Sequence, residues 1–308
     1  MNKELLSILQ ARDDVKITEN AMMAPFTSFQ IGGPADWLVQ PETIEALVFC
    51  YGKLKEEGIP VTVIGAGSNL LVADSGIRGA VIRLAKPFSK VERQGDMLIA
   101  EAGVSLAKLA AEALSGELSG LEFASGIPGS LGGAVFMNAG AYGGEMKDVV
   151  MKTEYVTADG KLRTVEGEAH GFDYRKSIFD EMDCIILRST LKLRKGDPTE
   201  IRATMLDLNN RRREKQPLNY PSAGSFFKRP TGHFAGKLIE DAGLKGTGIG
   251  GAQISEKHAG FLINTGGATA EDVCKLMAYV KERVFEQFGV TLEPEVRCLG
   301  DFSEMIKA

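Results

Sequence analysis

Between Glu122 and Glu145 the chain runs twenty-two residues without a charge, and seven of them are glycine. The segment reads Phe-Ala-Ser-Gly-Ile-Pro-Gly-Ser-Leu-Gly-Gly-Ala-Val-Phe-Met-Asn-Ala-Gly-Ala-Tyr-Gly-Gly. Without a Cβ, backbone approaches a ligand closely and turns through positive φ. Successive N–H groups in such a loop converge on an anion, most naturally a phosphate. The plainer reading is a buried turn, for which seven glycines are entropically costly. A second glycine motif, Gly65-Ala66-Gly67-Ser68-Asn69-Leu70, follows the apolar stretch Val61–Ile64. It invites a dinucleotide-binding βαβ reading. However, Leu70 stands at the third glycine position, and Val72–Asp74 with Gly76 breaks any following helix. That fingerprint needs a helix N-terminus for the pyrophosphate. The loop is therefore expected to hold phosphate through its N–H groups, Ser68 and Asn69. Two such loops make a dinucleotide or flavin dinucleotide the best candidate ligand.

Four smaller islands carry reactive groups. In Ser222-Ala-Gly-Ser225-Phe-Phe-Lys228 a hydroxyl follows a glycine and is flanked by rings, which suits a dry cleft. The simpler account is a turn serine. Phe227 stands where the second glycine of a hydrolase nucleophile elbow belongs, so that motif is excluded. Leu292-Glu-Pro-Glu295-Val-Arg297 reads as a strand with Glu293, Glu295 and Arg297 on one face, either an exposed ion pair or a frame for an anion. Arg211-Arg-Arg-Glu-Lys215 falls at a helix C-terminus, where cations complement the dipole; the same cluster would hold a diphosphate. Tyr174-Arg175-Lys176-Ser177 is, by itself, one loop with two charges.

These residues must be positioned by a chain of 308 residues, enough for two domains or three small ones. It is 44% hydrophobic and 25% charged, an ordinary globular composition. A net charge of −5 gives no reason to bind a nucleic-acid backbone. No secretory leader or membrane-spanning apolar run is evident, and a cytoplasmic protein is expected. Cys50, Cys184, Cys274 and Cys298 form no Cys-x-x-Cys pair and read as free thiols. His170, His233 and His258 lack metal-ligand spacing, so no metal is expected.

Periodicity and turn chemistry predict a helix from Lys3 to about Ala11, a strand over 35–40, and a helix over 43–57 stopped by Gly58. Strands follow at 61–64 and 81–84, then a hairpin of 91–93 with 97–100, and a helix to Leu114 capped by Ser105. A second hairpin joins 151–157 to 162–165 through Asp159-Gly160, and 184–193 is a long strand. Composition changes near Lys195–Pro198, where a boundary is placed, followed by a helix over 199–213. The last helix starts at the Thr269 cap, with Asp272 in the capping-box position. It buries Val273, Leu276, Met277, Val280, Val284 and Phe288 and stops at Gly289. The mix of hairpins and helices is α+β.

Taken together, seven segments resemble the UDP-N-acetylenolpyruvoylglucosamine reductase family. They are Asn20 to Asp36, Ile64-Gly-Ala-Gly-Ser-Asn-Leu-Leu-Val, Gly126-Ile-Pro-Gly-Ser-Leu-Gly-Gly-Ala, Met137-Asn-Ala-Gly-Ala-Tyr-Gly, Tyr174-Arg-Lys-Ser, Ala223-Gly-Ser-Phe-Phe-Lys and Glu293-Pro-Glu-Val-Arg. Each alone is weak; the ordered set is specific. The short stretch from Phe179 to Cys184 leaves no room for the tyrosine-bearing insertion of the family's longer form. The resemblance implies a vanillyl-alcohol-oxidase-type (PCMH) FAD-binding region in two subdomains, over 1–80 and 81–196. An α+β substrate-binding domain over 197–308 would follow. It implies non-covalent FAD, NADPH as hydride donor and a UDP-sugar enolpyruvyl ether as acceptor, with no obligate protein partner. FAD is expected on Gly65, Ala66, Gly67, Ser68, Asn69, Leu70, Ile127, Pro128, Gly129, Ser130, Gly132, Gly133, Asn138 and Ala139. By position Arg175, Ser225 and Glu295 match the catalytic residues, and Tyr174, Lys215 and Arg297 are expected on the substrate.

The implied chemistry accounts for those residue types. An enolpyruvyl ether is electron-rich and accepts hydride poorly, so its carboxylate must absorb charge as an enediolate develops. Arg175 supplies fixed positive charge there, and a protonated Glu295 donates a hydrogen bond to the same group. Ser225 then delivers a proton to the carbanion at C2. Two other readings remain at this stage. One is another flavin oxidase or dehydrogenase of the same fold, acting on a hydroxy acid or sugar. Many of these attach FAD through histidine, whereas here the first histidine is His170, beyond both glycine loops. The other is a nucleotide-sugar binding module that holds no flavin.

Overall fold

The computed structural model describes residues 3–303. The chain forms two compact units: Met1–Glu19, Trp37–Ala66 and Gly79–Arg212 make the first, and Asn20–Asp36, Gly67–Arg78 and Arg213–Ala308 the second. The expected division at 80/81 and 196/197 differs from this. Two N-terminal stretches, 20–36 and 67–78, group with the C-terminal part, and the junction at 212/213 falls inside the helix Pro198–Lys215, which starts just after the expected boundary.

The first unit is built on two sheets. Strands Val15–Met22, Pro34–Pro41, Ile77–Arg83 and Val61–Ile64 lie in that order, the last two parallel with Val61 opposite Ala80. The helix Ile44–Glu56 starts at Thr43, whose Oγ1 accepts the Ala46 N–H at 3.0 Å, and ends before Gly58 at φ +65°. That cap is worth about 1 kcal/mol. The second sheet is antiparallel, in the order Leu162–Glu166, Val150–Thr157, Cys184–Lys192, Met97–Glu101, Val91–Gln94. Both predicted hairpins are present, turning through Gly95 at φ +64° and Gly160 at φ +75°. Trp37, Leu47, Leu54, Leu109, Val156 and Leu191 belong to one buried core.

The glycine run is not a plain loop. A helix, Leu131–Phe136, lies inside it, and Gly132 and Gly133 sit in its first turn. A Cβ on Gly132 would fall 2.8 Å from the Ala102 Cβ, so glycine here lets the helix close onto the end of a strand. The Leu131 and Gly132 N–H groups donate to Val104 O and Ala102 O at 2.9 and 2.8 Å.

The second unit carries an antiparallel sheet in the order Ser222–Ser225, Phe261–Asn264, Ala252–Ile254, Gly248–Ile249. The helix Ala270–Phe288 has the predicted capping box of Thr269 and Asp272 and stops at Gly289 with φ +67°. Val273, Leu276, Val280 and Val284 are fully buried with Phe29, Phe226 and Leu262. Phe288, expected on that face, is exposed instead. The expected strand over 292–297 is also corrected. Regular pairing begins only at Arg297–Leu299, parallel to Leu70–Val72, and before it the segment makes a single antiparallel bridge, Pro294 with Phe227. Among the described residues no helix is long and apolar enough to cross a membrane.

Candidate active site

The loop Gly65–Leu70 leads from one strand into another, Leu70–Val72, and not into a helix, as its sequence required. Gly65 and Ala66 belong to the first unit and Gly67 to Leu70 to the second. Any side chain at Gly65 would collide with Ser130 Oγ, so within the first unit the two glycine motifs meet at Gly65 and Ser130. Ser130 is buried and begins the helix Leu131–Phe136 without capping it through its side chain. Gly129, at φ +155°, precedes it.

Several expected cofactor residues spend their N–H groups inside the protein. Ile127 donates to Ala124 O at 3.1 Å, Asn138 to Val135 O at 3.3 Å and Ala139 to Ala134 O at 2.8 Å. Like Gly132, they offer no free amide donor. The two asparagines act as clamps on backbone. Asn138 Nδ2 donates to Asp173 O at 3.1 Å, and Asn69 Nδ2 donates to Glu295 O at 3.2 Å. Asn69 O in turn accepts the Arg297 N–H at 3.0 Å.

Arg212 is the residue whose special position sequence reasoning missed, because it read as one of a basic cluster. Its guanidinium is buried near Gly126 and Asn209, and Nε and Nη1 have no hydrogen-bond partner in the protein. Burial pushes its pKa down from the usual value, offset in part by Tyr142, whose ring lies 5.7 Å from the guanidinium carbon. Leaving charged donors unmet in a dry place costs about 1–3 kcal/mol or more. An anion beside the Gly126–Ser130 loop would relieve that cost, so the residues here fit a cofactor that carries a diphosphate.

The catalytic candidates divide between the units. Arg175, in the first, is the second central residue of a tight turn. The Asp173 N–H donates to Lys176 O at 3.0 Å and the Lys176 N–H to Asp173 O at 3.2 Å. Arg175 takes φ +55°, a region non-glycine residues enter at a cost. Its guanidinium carbon lies 5.0 Å from the Tyr174 ring centroid, and Nη2 lies 3.5 Å from Gly140 O. Tyr174 itself is exposed.

Ser225 and Glu295 share the second unit, on paired backbone. Phe227 bridges Pro294, the Glu295 N–H donates to Phe226 O at 2.8 Å, and Lys228 N–H to Glu293 O at 2.8 Å. Ser222 pairs with Ile263 but Ser225 with Phe261, so the strand bulges between them, at Gly224 with φ +79°. The bulge re-aims the side chains: Ala223, Phe226 and Phe227 are buried, while Ser225 faces outward. Lys215 is exposed at the end of its helix, and Arg297 is half-buried in its strand.

The chain matches the model of the UDP-N-acetylenolpyruvoylglucosamine reductase C-terminal domain over residues 216–299 and a FAD binding domain model over 35–166. The UDP-N-acetylenolpyruvoylglucosamine reductase of Caldanaerobacter subterraneus is 52% identical over 286 residues, which is 93% of this chain and 94% of that protein. This chain belongs to the UDP-N-acetylenolpyruvoylglucosamine reductase family. The reductase of Latilactobacillus sakei is 46% identical over 99% of this chain and its own full length. The crystal structure of the reductase from Thermus caldophilus superposes with a TM-score of 0.80 at 38% identity, covering 93% of this chain and 99% of that one. Like its family, the chain is an FAD-dependent oxidoreductase, α+β throughout, with the FAD-binding region followed by the family's C-terminal domain.

Proposed function

We propose that this chain reduces the enolpyruvyl ether of UDP-N-acetylglucosamine to UDP-N-acetylmuramate in the cytoplasm, with NADPH as hydride donor. The observation that supports it best is the pairing of Ser225 with the Glu295 segment in a chain that matches this family end to end. Bound FAD supplies two-electron hydride chemistry between the two substrates. Gly65 to Leu70, Gly129, Ser130 and Gly133 line its path, Ile127, Pro128, Gly132, Asn138 and Ala139 shape it, and Arg212 meets its negative charge. Arg175 faces the carboxylate that gains charge as hydride arrives. Glu295, in its protonated form, donates a hydrogen bond to that carboxylate, and Ser225 gives its proton to C2. Tyr174, Lys215 and Arg297 hold the substrate, Lys215 on its nucleotide side. Residues 197–308 are the substrate-binding part in this reading.

His170 favours this over an oxidase with histidyl-linked flavin. It is buried, its Nδ1 lies 2.9 Å from Gly167 O and its Nε2 3.0 Å from Thr153 Oγ1, so neither nitrogen is available for a covalent bond. The deciding experiment is NADPH oxidation by the purified yellow protein with and without the enolpyruvyl UDP-sugar. Turnover should require the sugar, and acid precipitation should release the flavin. Oxygen consumption with an alcohol substrate and no NADPH would overturn the proposal.

A further inference from the structure

Asn138 is buried, holds φ +44° and uses its whole amide. One N–H goes to Asp173 O at 3.1 Å and the other to Glu145 Oε2 at 2.9 Å, while Oδ1 accepts the Lys147 N–H at 2.9 Å. An amide side chain has two donors and one carbonyl oxygen, so both donors are spent inside the protein and the oxygen is already engaged. Two of these partners belong to the segment just after it, where Gly140–Ala141 pairs with Gly144–Glu145 through Tyr142 at φ +54° and Gly143 at φ +91°. The third, Asp173, opens the turn that carries Arg175. Arg175 Nη2 reaches toward Gly140 O of the same hairpin. Glu145 completes the cluster. Its carboxylate is 2.8 Å from Lys147 Nζ and is held below the usual range. The hydrogen bond from Lys147, then that from Asn138, and the charges of Lys147 and Arg175 outweigh the cost of burial.

We propose that Asn138 is the positioning residue for Arg175. Its amide ties the left-handed turn 173–176 to the 138–147 hairpin and so fixes where the guanidinium stands. An arginine left to itself samples many rotamers, and a misplacement of about 1 Å in such a group can cost about 10²-fold in rate. The inference rests on the role given to Arg175 above.

Asn138→Asp tests it. Aspartate tolerates the same backbone conformation and keeps an acceptor for the Lys147 N–H. It removes both donors and sets a carboxylate against Glu145 and the Asp173 carbonyl. The expected result, with FAD added to saturation, is that the slowing falls on reoxidation and far less on bleaching by NADPH. Reoxidation by the enolpyruvyl substrate should slow by about 10–100-fold, mainly in kcat. Asn138→Gly, which keeps the backbone at least cost, should behave alike if the aspartate variant folds poorly. Equal slowing of both half-reactions, loss of FAD from folded protein, or reoxidation within twofold of the parent would overturn the proposal. Arg175→Ala serves as the reference. If it too leaves reoxidation intact, the role of Arg175 itself is wrong; if only the Asn138 variants do, the positioning role alone is wrong.

Discussion

The Arg175 turn and the Ser225 bulge solve the same problem in opposite ways. Each aims a proposed catalytic side chain by means of left-handed backbone. At the turn Arg175 carries the strain itself, at φ +55°; at the bulge Gly224 carries it, at φ +79°, and Ser225 is spared. The supports differ as well. The turn is closed by its own backbone bonds between Asp173 and Lys176, but it is tied to its surroundings by side chains: Asn138 on the Asp173 carbonyl, and Ser177 Oγ donating to Phe136 O at 2.6 Å. The bulge is held by backbone, with the Phe226 N–H on Gly260 O at 2.9 Å and the Glu295 N–H on Phe226 O at 2.8 Å. A position braced by ladder bonds should accept a new side chain without refolding. A position braced by a few amides, with strain in the reactive residue, should couple chemistry to stability.

The largest effect tests the first half of that contrast. Ser225→Ala should leave Tm and FAD content unchanged, since Ser225 faces outward from a backbone-held strand. NADPH should still reduce the flavin at a near-normal rate. Reoxidation by substrate should slow by about 10²–10⁴-fold, the usual contribution of a general acid. Ser225→Cys should keep more activity than alanine because a thiol also donates a proton. Stopped-flow absorbance of the two half-reactions gives the answer, and equal loss in both would show that Ser225 is structural.

Next come two cations on one helix, Arg212 buried in the first unit and Lys215 exposed in the second. Arg212→Met removes a buried charge whose Nε and Nη1 no protein group meets. The apo-protein should therefore be as stable as the parent or more so. FAD should bind about 10–100-fold more weakly, as expected for losing a charge-assisted contact. Titration of apo-protein with FAD, followed by fluorescence, measures it. Lys215→Ala should instead raise KM with kcat nearly unchanged, since its charge is remote from the reacting carbons in the proposed pose. If Lys215→Ala lost FAD and Arg212→Met only raised KM, the assignment of cofactor and substrate cations would be reversed.

These contrasts also mark what the sequence made legible. Helix ends announced themselves through Gly58, Ser105, Thr269 with Asp272, and Gly289, because caps and stops act on neighbours within four residues. The proposed catalytic residues were named from ordered motifs. The helix Leu131–Phe136 did not, because two glycines in its first turn argue for a loop. Only the distant carbonyls of Ala102 and Val104 explain why it forms. The strand expected over 292–297 shrinks to one bridge at Pro294 and a separate parallel pairing from Arg297, because the segment changes partner between Phe227 and Leu70, which no local pattern shows. Asn69 and Asn138 looked like ligand contacts, and their work on the carbonyls of residues 295 and 173 involves partners no local pattern reveals.

A smaller pair of variants isolates the strain. No atom lies within 4 Å of a Cβ placed on Gly224, so Gly224→Ala meets no clash. It should still lose about 1–2 kcal/mol through the left-handed backbone alone. At position 175 the same order should hold: Arg175→Gly should be more stable than Arg175→Ala by about 1 kcal/mol, although both abolish fast reoxidation. Urea denaturation of the four proteins measures this. Equal stabilities of the glycine and alanine variants at 175 would mean that the turn relaxes when arginine leaves.

The smallest effect concerns two histidines that back the two sites. His170 stacks on Phe172, just before the Arg175 turn, with centroids 4.8 Å apart and planes 7° from parallel. His258 meets Phe261, the partner of Ser225, edge-on at 5.0 Å. Burial holds both imidazoles below their ordinary value of 6.5, so the folded protein binds fewer protons than the unfolded chain just under that pH. Stability therefore falls as pH drops below 6.5, until the folded histidines themselves titrate. The chemistry of protonation is unequal. His258 Nδ1 accepts the Gly260 N–H at 3.1 Å, a bond that imidazolium cannot accept. His170 Nε2 faces a hydroxyl, Thr153 Oγ1, that can turn from donor to acceptor and is backed by Ser189 Oγ at 3.0 Å. The fall in Tm between about pH 7 and pH 5.5 should therefore shrink more in His258→Gln than in His170→Gln. An equal reduction, or none in His258→Gln, would show that the backbone-held site of Ser225 is not the more proton-sensitive of the two.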